Sequence, residues 1–146
     1  MENEKIIQAI TAIFKGADQR DWQKVQNAMA ENILLDYSSL SGSPAATLPS
    51  KQIVEIWKGF LPGFDKTHHQ LSDFQITKHD NSANVHCNGK ADHFIDGDVW
   101  TVEGTYDADV SKINGQWVVT KLKFNLLKQR GHTNLPARAI EKLKTT

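Results

Sequence analysis

The sequence predicts an α+β fold in which three N-terminal helices pack on a curved, mainly antiparallel sheet. The hydrophobic pattern changes from a period of about 3.6 residues in the first half to a period of 2 in the second. Short turn motifs separate the long alternating runs of the second half. The length of 146 residues fits one domain with one core. We expect this domain to span residues 1–130 and a tail to follow in residues 131–146.

The N-terminal half carries the pattern of three helices and one strand. In residues 5–17, apolar side chains recur every three or four positions, as on one helix face. A short second helix follows Asp21, whose carboxylate can cap free backbone N–H groups. A third helix, in residues 50–63, starts at a serine and stops at Pro-Gly. Between them, residues 33–37 alternate as a strand, and the Ser, Gly, Pro and Thr content of residues 38–49 predicts a loop.

The second half is predicted to form an antiparallel meander of four long strands. These strands cover residues 67–78, 83–95, 99–112 and 116–128. The three junctions carry Asp80-Asn81, Asp96-Gly97 and Asn114-Gly115, which tolerate the positive φ of tight hairpin turns. Strands of more than about ten residues are longer than usual, so we expect bulges where they bend around the helices. Gly89 and Gly104 are the expected bend sites.

Strand alternation predicts polar side chains on the buried face of this sheet. His69, His93 and Tyr37 are each in phase with small or apolar neighbours, so they should face the helices. An unpaired buried polar group costs about 1–3 kcal/mol, so these groups need partners. Asp18, at the end of the first helix, is placed to supply one. The same alternation turns these side chains toward the core or pocket: Trp100, Val102, Tyr106, Val118, Thr120, Leu122 and Phe124.

Charge and cysteine content exclude several classes of partner. Seventeen Lys and Arg balance seventeen Asp and Glu, so no net field attracts nucleic acid or a membrane surface. Cys87 is alone, which excludes an internal disulfide or a multi-cysteine zinc site. No His-x-His pair shares a strand face with a carboxylate, so we expect no metal. The charged N-terminus lacks the pattern of a signal peptide or membrane span, which favours a cytoplasmic location.

Several short motifs occur in a characteristic order. They are Asp18-x-x-Asp21-Trp22, Asp36-Tyr37, Thr67-His68-His69, Ala91-Asp92-His93, Gly104-Thr105-Tyr106 and Asn114-Gly115-x-Trp117. Together, over about residues 5–125, they resemble the SnoaL-like branch of the nuclear-transport-factor-2-like superfamily. The resemblance implies a cystatin-like cone with a mixed sheet and a homodimer or homotrimer. It also suggests that the segment 136–143 is a short helix over the pocket mouth or a neighbouring subunit, or a frayed end.

Within this branch the pattern is most similar to scytalone dehydratase and, more distantly, to hexachlorocyclohexane dehydrochlorinase. The first resemblance implies that Asp18, Tyr37, His69 and His93 are catalytic, and the second implies a dyad of Asp18 and His69. Both families eliminate a hydrogen and a leaving group from a ring without a metal or organic cofactor. The first pattern favours His93 as the partner of Asp18 and the second favours His69, so this choice stays open.

These residues suggest a lyase of the dehydratase type acting on a small ring or hydroxyketone-like molecule. A histidine held by Asp18 would remove a proton beside a carbonyl and later protonate the leaving oxygen, while Tyr37 donates to the carbonyl. One alternative is a non-catalytic small-molecule-binding or interaction module, for which Trp57 and Trp117 outside the core would offer a surface. Another is a ring isomerase or cyclase, in which a lone carboxylate would be the base.

Overall fold

The computed structural model describes residues 2–144 and has α+β architecture, as predicted. Its helices are α1 (Glu2–Gln19), α2 (Trp22–Asn27), α3 (Ser38–Ser41), α4 (Ser50–Lys58) and α5 (Leu135–Lys144), with a 3₁₀ turn at Leu61–Gly63. Its strands are β1 (Met29–Asp36), β2 (Ala46–Pro49), β3 (Lys66–His79), β4 (Ser82–Ile95), β5 (Asp98–Ile113) and β6 (Gln116–Gly131). The second half is therefore dominated by four long strands.

The strands form one mixed sheet in the order β2-β1-β6-β5-β4-β3. Neighbours pair antiparallel except β1 and β6, which pair parallel. The mainly antiparallel sheet predicted from the sequence is thus confirmed. One face is buried under α1, whose side chains Ile6, Ile10 and Ile13 are fully inaccessible. Asp21 caps α2 by accepting a hydrogen bond from the backbone N–H of Lys24.

The long strands bend at points where their pairing register shifts. One shift lies between Glu103 and Gly104, so Gly104 is at a bend, as predicted. The pairs of Gly89 with Leu71 and Gly104 continue the regular register, so no bulge lies at Gly89 itself. A Cβ at Gly89 would lie 2.3 Å from Cε2 of Tyr106, so the missing side chain makes room for that ring. That Gly89 is a bend site stays a prediction.

A second irregularity in β6 reverses the alternation of its side chains. Val119 pairs with Val110, and the next pair joins Lys121 to Asp109, which leaves Thr120 as an extra residue. Val118 and Thr120 therefore do not share a face with the inward residues that follow them, and that prediction was wrong. Trp117 lies in the core with 5% exposure, so its predicted surface position was also wrong.

Residues 38–49, predicted to be a loop, contain helix α3 and strand β2. Strand β2 pairs antiparallel with β1 and extends the sheet at its edge. Composition predicted a loop because these residues have weak local preferences, whereas the strand exists through pairing with a distant segment. Helix α3 adds a fourth helix to the three predicted in the N-terminal half. It ends at Gly42, whose φ of 79° favours glycine.

Helix α5 packs against the same chain. Its side chains Leu135 and Ala139 are fully buried, and the helix contacts the 3₁₀ turn. A Cβ on Gly63 would lie 2.1 Å from the carbonyl oxygen of Ala139, so glycine permits this close approach. Among the residues described, no helix is both long enough and apolar enough to span a membrane.

Candidate functional site

A cavity of about 510 Å³ lies between the buried face of the sheet and the helices. Seven of the eight residues predicted for the site line it: Tyr37, His69, His93, Trp100, Val102, Tyr106 and Phe124. The eighth, Asp18, lies behind His69 and reaches the cavity through that ring. Cavities of about 300–1,000 Å³ are the usual size for small organic ligands.

The sequence reasoning missed several parts of the cavity wall. Trp57 near the end of α4 and Phe60 just after the helix belong to an apolar stripe that was predicted as helix packing, and both line the cavity. Gln129, Thr133 and Pro136 also line it, although they lie beyond the last predicted strand. The indole N–H of Trp100 donates to Oε1 of Gln129 at 2.8 Å. The amphipathic pattern after residue 130 was the available signal for this part of the wall.

Asp18 and His69 form a hydrogen-bonded dyad at one end of the cavity. Oδ1 of Asp18 lies 2.6 Å from Nδ1 of His69, and Oδ2 accepts the backbone N–H of the same histidine at 2.7 Å. The hydroxyl of Thr67 donates to Oδ1 at 2.9 Å. The last turn of α1 and the start of β3 therefore hold the carboxylate in one orientation. The structure thus selects His69, of the two histidines considered, as the partner of Asp18.

The charge of Asp18 determines the tautomer of His69. Burial alone would raise the pKa of Asp18. The hydrogen bonds from His69 and Thr67 and the electrostatic interaction with His69 together outweigh this effect, so the pKa of Asp18 lies below its usual value. An ionised carboxylate can only accept, so Nδ1 of His69 carries the proton. Its Nε2 then has a free lone pair, and no group among residues 2–144 hydrogen-bonds to that atom. His69 is therefore equipped to act as a base.

His93 lies next to this dyad and is neutral. Its Nδ1 donates to the carbonyl oxygen of Trp100 at 3.0 Å, and its ring centroid lies 6.0 Å from that of His69. The pKa of His93 is lowered to about 4, mainly by burial and to a smaller extent by the electrostatic interaction with the neighbouring His69. Since a carbonyl cannot donate, the proton of His93 is on Nδ1 and its Nε2 is an acceptor.

Two phenols lie at the other end of the cavity. The ring centroids of Tyr37 and Tyr106 are 6.4 Å apart, and Phe14 separates Tyr106 from His69 with centroid distances of 4.9 and 5.3 Å. Burial raises the pKa of Tyr37, and a hydrogen bond from Tyr106 offsets part of that rise. Burial and the neighbouring Tyr37 also raise the pKa of Tyr106. Both phenols therefore stay protonated near neutral pH, and the hydroxyl proton of Tyr37 is free for a ligand.

The cavity thus combines a base and an acceptor at one end with a phenol donor at the other. The intervening wall is mainly apolar, with side chains such as Phe14, Trp57 and Val102. A molecule buried against this wall would interact more strongly with the polar groups than it does in water. This set of groups can remove a proton from carbon and stabilise negative charge on a carbonyl oxygen. Within residues 2–144, no three His, Cys, Asp or Glu side chains converge as metal ligands.

Comparison with known proteins supports the fold assignment. A family model described as SnoaL-like domain matches residues 2–123. The Kfla4162 protein of Kribbella flavida is 21% identical, with a TM-score of 0.85 over 94% of this chain and 95% of that chain. A candidate scytalone dehydratase from Novosphingobium aromaticivorans is 20% identical, with a TM-score of 0.75 over 90% of this chain and 87% of that chain.

A third solved structure is hexachlorocyclohexane dehydrochlorinase LinA-type3 from Novosphingobium barchaimii. It is 11% identical, with a TM-score of 0.71 over 90% of each chain. A further similar structure is described as having a cystatin-like fold, so that part of the prediction is confirmed. No curated protein sequence matches the chain. At these identities the solved structures establish the fold alone.

Proposed function

Because this chain belongs to the SnoaL-like domain family, we propose that it is a small-molecule lyase that removes water from a hydroxyketone-like ring without a cofactor. The observation that carries this proposal is the 2.6 Å contact between Asp18 and His69 at the wall of a cavity of small-molecule size. The names of two solved relatives, a candidate scytalone dehydratase and a dehydrochlorinase, denote the loss of water and of hydrogen chloride. They support an elimination over other reactions of a polar pocket.

In the proposed reaction, Nε2 of His69 takes a proton from the carbon next to the substrate carbonyl. The C–H electrons form a carbon–carbon double bond, and the bond from the neighbouring carbon to its hydroxyl breaks. The same imidazolium returns the proton to the departing oxygen, which leaves as water. Asp18 stabilises the imidazolium and does not itself touch the substrate.

The other polar groups hold the substrate in this reaction. The hydroxyl of Tyr37 donates to the carbonyl oxygen and stabilises the enolate charge that develops there, while Tyr106 donates to Tyr37. Nε2 of His93, a neutral acceptor, receives a hydrogen bond from the substrate hydroxyl. A ring isomerase with a carboxylate base is less well supported, because Asp18 is separated from the cavity by His69.

The proposal is tested by screening cyclic hydroxyketones for dehydration, followed by the absorbance of the conjugated product. On a turned-over substrate, Asp18→Asn and His69→Gln should each lower kcat by about 10²–10⁴-fold, because the base loses its orientation or is absent. A matched control is Asp107→Asn: Asp107 lies 2.7 Å from Nδ1 of His86 in a half-exposed pair outside this cavity, and its loss should leave kcat unchanged.

The outcomes separate catalysis from binding alone. Wild-type turnover by folded Asp18→Asn and His69→Gln proteins would contradict the proposal. Ligands that bind in the cavity but are never converted by the wild-type protein would favour the binding-module alternative.

A further inference from the structure

A chain of hydrogen bonds extends behind the dyad, away from the cavity. Nη1 of Arg20 donates to Oγ1 of Thr67 at 3.1 Å, and Oγ1 of Thr67 donates to Oδ1 of Asp18 at 2.9 Å. Thr67 is 2% exposed. Neither Arg20 nor Thr67 is among the residues that line the cavity. These two side chains therefore do not contact a ligand in the cavity directly.

The chemistry of the three groups fixes the direction of each hydrogen bond. A guanidinium has donors and no acceptor, so Thr67 must accept from Arg20. The single hydroxyl proton of Thr67 is then directed to Asp18, where a carboxylate can only accept. Without Arg20, the Thr67 hydroxyl could rotate, and the orientation of the Asp18 carboxylate would be less restricted.

The guanidinium is itself held by backbone carbonyls. Nη1 donates to the carbonyl of Ala17 at 2.8 Å, and Nη2 donates to that of Leu61 at 2.8 Å. The backbone of Arg20 has a φ of 59° where α1 ends. Arg20 therefore ties the end of α1 to the 3₁₀ turn and to β3, and its charge is fixed in place beside Asp18.

We propose that Arg20 and Thr67 are positioning residues that orient the Asp18 carboxylate and limit the basicity of His69. The expected effect of Arg20 and Thr67 on turnover rests on the function proposed above. Their expected effect on His69 can be measured without a substrate. A fixed positive charge on the far side of Asp18 offsets part of the negative charge that would stabilise the imidazolium.

Apart from the charges of Asp18 and Arg20 themselves, the ionisable groups that face the dyad are uncharged near neutral pH. Asp18 and Arg20 face it from the end of α1. His93 faces it from β4 and is neutral, because burial lowers its pKa to about 4. Tyr106 from β5 and Tyr37 after β1 are protonated phenols, since burial raises the pKa of each. Burial lowers the pKa of Arg20, and the charge of Asp18 opposes this effect. Because an arginine remains protonated in proteins, Arg20 keeps its positive charge.

The experiment compares Thr67→Val, Thr67→Ser, Arg20→Met and Arg20→Lys with the wild-type protein. The ring signals of His69 are followed by NMR as a function of pH in the ligand-free protein, and folding is checked by thermal melts. Thr67→Val removes the hydroxyl at nearly constant volume, and Thr67→Ser restores it. We expect the titration midpoint of His69 to rise by roughly half to one pH unit in Thr67→Val and Arg20→Met. Thr67→Ser and Arg20→Lys should stay closer to wild type.

On a substrate that the wild type converts, Thr67→Val should lower kcat by about tenfold to a hundredfold with KM unchanged, since a small misplacement of a reacting group is costly. A folded Thr67→Val protein with wild-type His69 midpoint and kcat would overturn the proposal. If the Arg20→Met protein does not fold, the comparison of Thr67→Val with Thr67→Ser tests the positioning role. If no substrate is converted by the wild type, the function proposal fails, and the His69 midpoint still tests the positioning role.

Discussion

At the scale of single residues, the same sheet face holds two histidines in different states. His69 is paired with an ionised carboxylate, whereas His93 is bonded to a neutral backbone carbonyl and is 5% exposed. A positive charge on His93 would be buried without an anionic partner and close to His69. The neutral form is therefore strongly preferred in the folded protein.

This preference predicts a pH-dependent stability that comes from His93. Its folded pKa of about 4 lies below the usual value of 6.5, so between these pH values the unfolded chain binds the proton more tightly. The stabilisation is complete above pH 6.5 and is lost as the pH falls toward 4, by roughly 3 kcal/mol in total. Urea unfolding of wild type and His93→Gln at pH 7 and 4.5 measures the difference. Equal pH dependence in the two proteins would contradict this assignment.

The sequence predicted the direction of single side chains well and the contacts between distant segments less well. Strand alternation identified His69, His93 and Tyr106 as inward residues, and each of them lines the cavity. Which histidine contacts Asp18 depended on how the end of α1 meets β3, which no local pattern contains. The role of Arg20 depends on the backbone carbonyls of Ala17 and Leu61, so only the structure revealed it.

At the scale of secondary-structure elements, the bends of the long strands shape the cavity wall. The bend between Glu103 and Gly104 lies where β5 faces β6, and Phe124 of β6 packs beside Gly104 and lines the cavity. A sequence pattern can suggest that such a bend exists, because glycine is unfavourable in a regular strand. It could not locate the extra residue Thr120, since a β-branched residue fits any strand position.

Gly104→Ala should therefore destabilise the protein. The added Cβ would lie 2.1 Å from the carbonyl oxygen of Asn125 and 2.7 Å from Cζ of Phe124, so backbone must shift. We expect a loss of about 1–3 kcal/mol in the free energy of unfolding, measured with urea. Gly59→Ala is the matched control, because its Cβ would have contacts of 3.5 Å or longer at a φ of −82°. Equal stabilities of the two variants would show that the bend tolerates a side chain.

At the scale of the whole molecule, the cavity is assembled from distant parts of the chain. The dyad joins the end of α1 to β3, the phenols come from the segment after β1 and from β5, and Thr133 and Pro136 complete the wall at the start of α5. Helix α5 contacts the 3₁₀ turn, whose Leu61 carbonyl also accepts from Arg20. The docking of the C-terminal helix is thus linked to both the cavity wall and the arginine behind the dyad.

This link predicts that loosening α5 weakens both stability and ligand binding. Leu135 is fully buried, so Leu135→Ala should cost about 2–5 kcal/mol of unfolding free energy. Ile140 on the same helix is 43% exposed, so Ile140→Ala should cost less than about 1 kcal/mol. Urea unfolding measures both, and titration with a cavity ligand should show weaker binding for Leu135→Ala alone. Similar costs in the two variants, or unchanged affinity of a folded Leu135→Ala protein, would mean that α5 does not support the cavity.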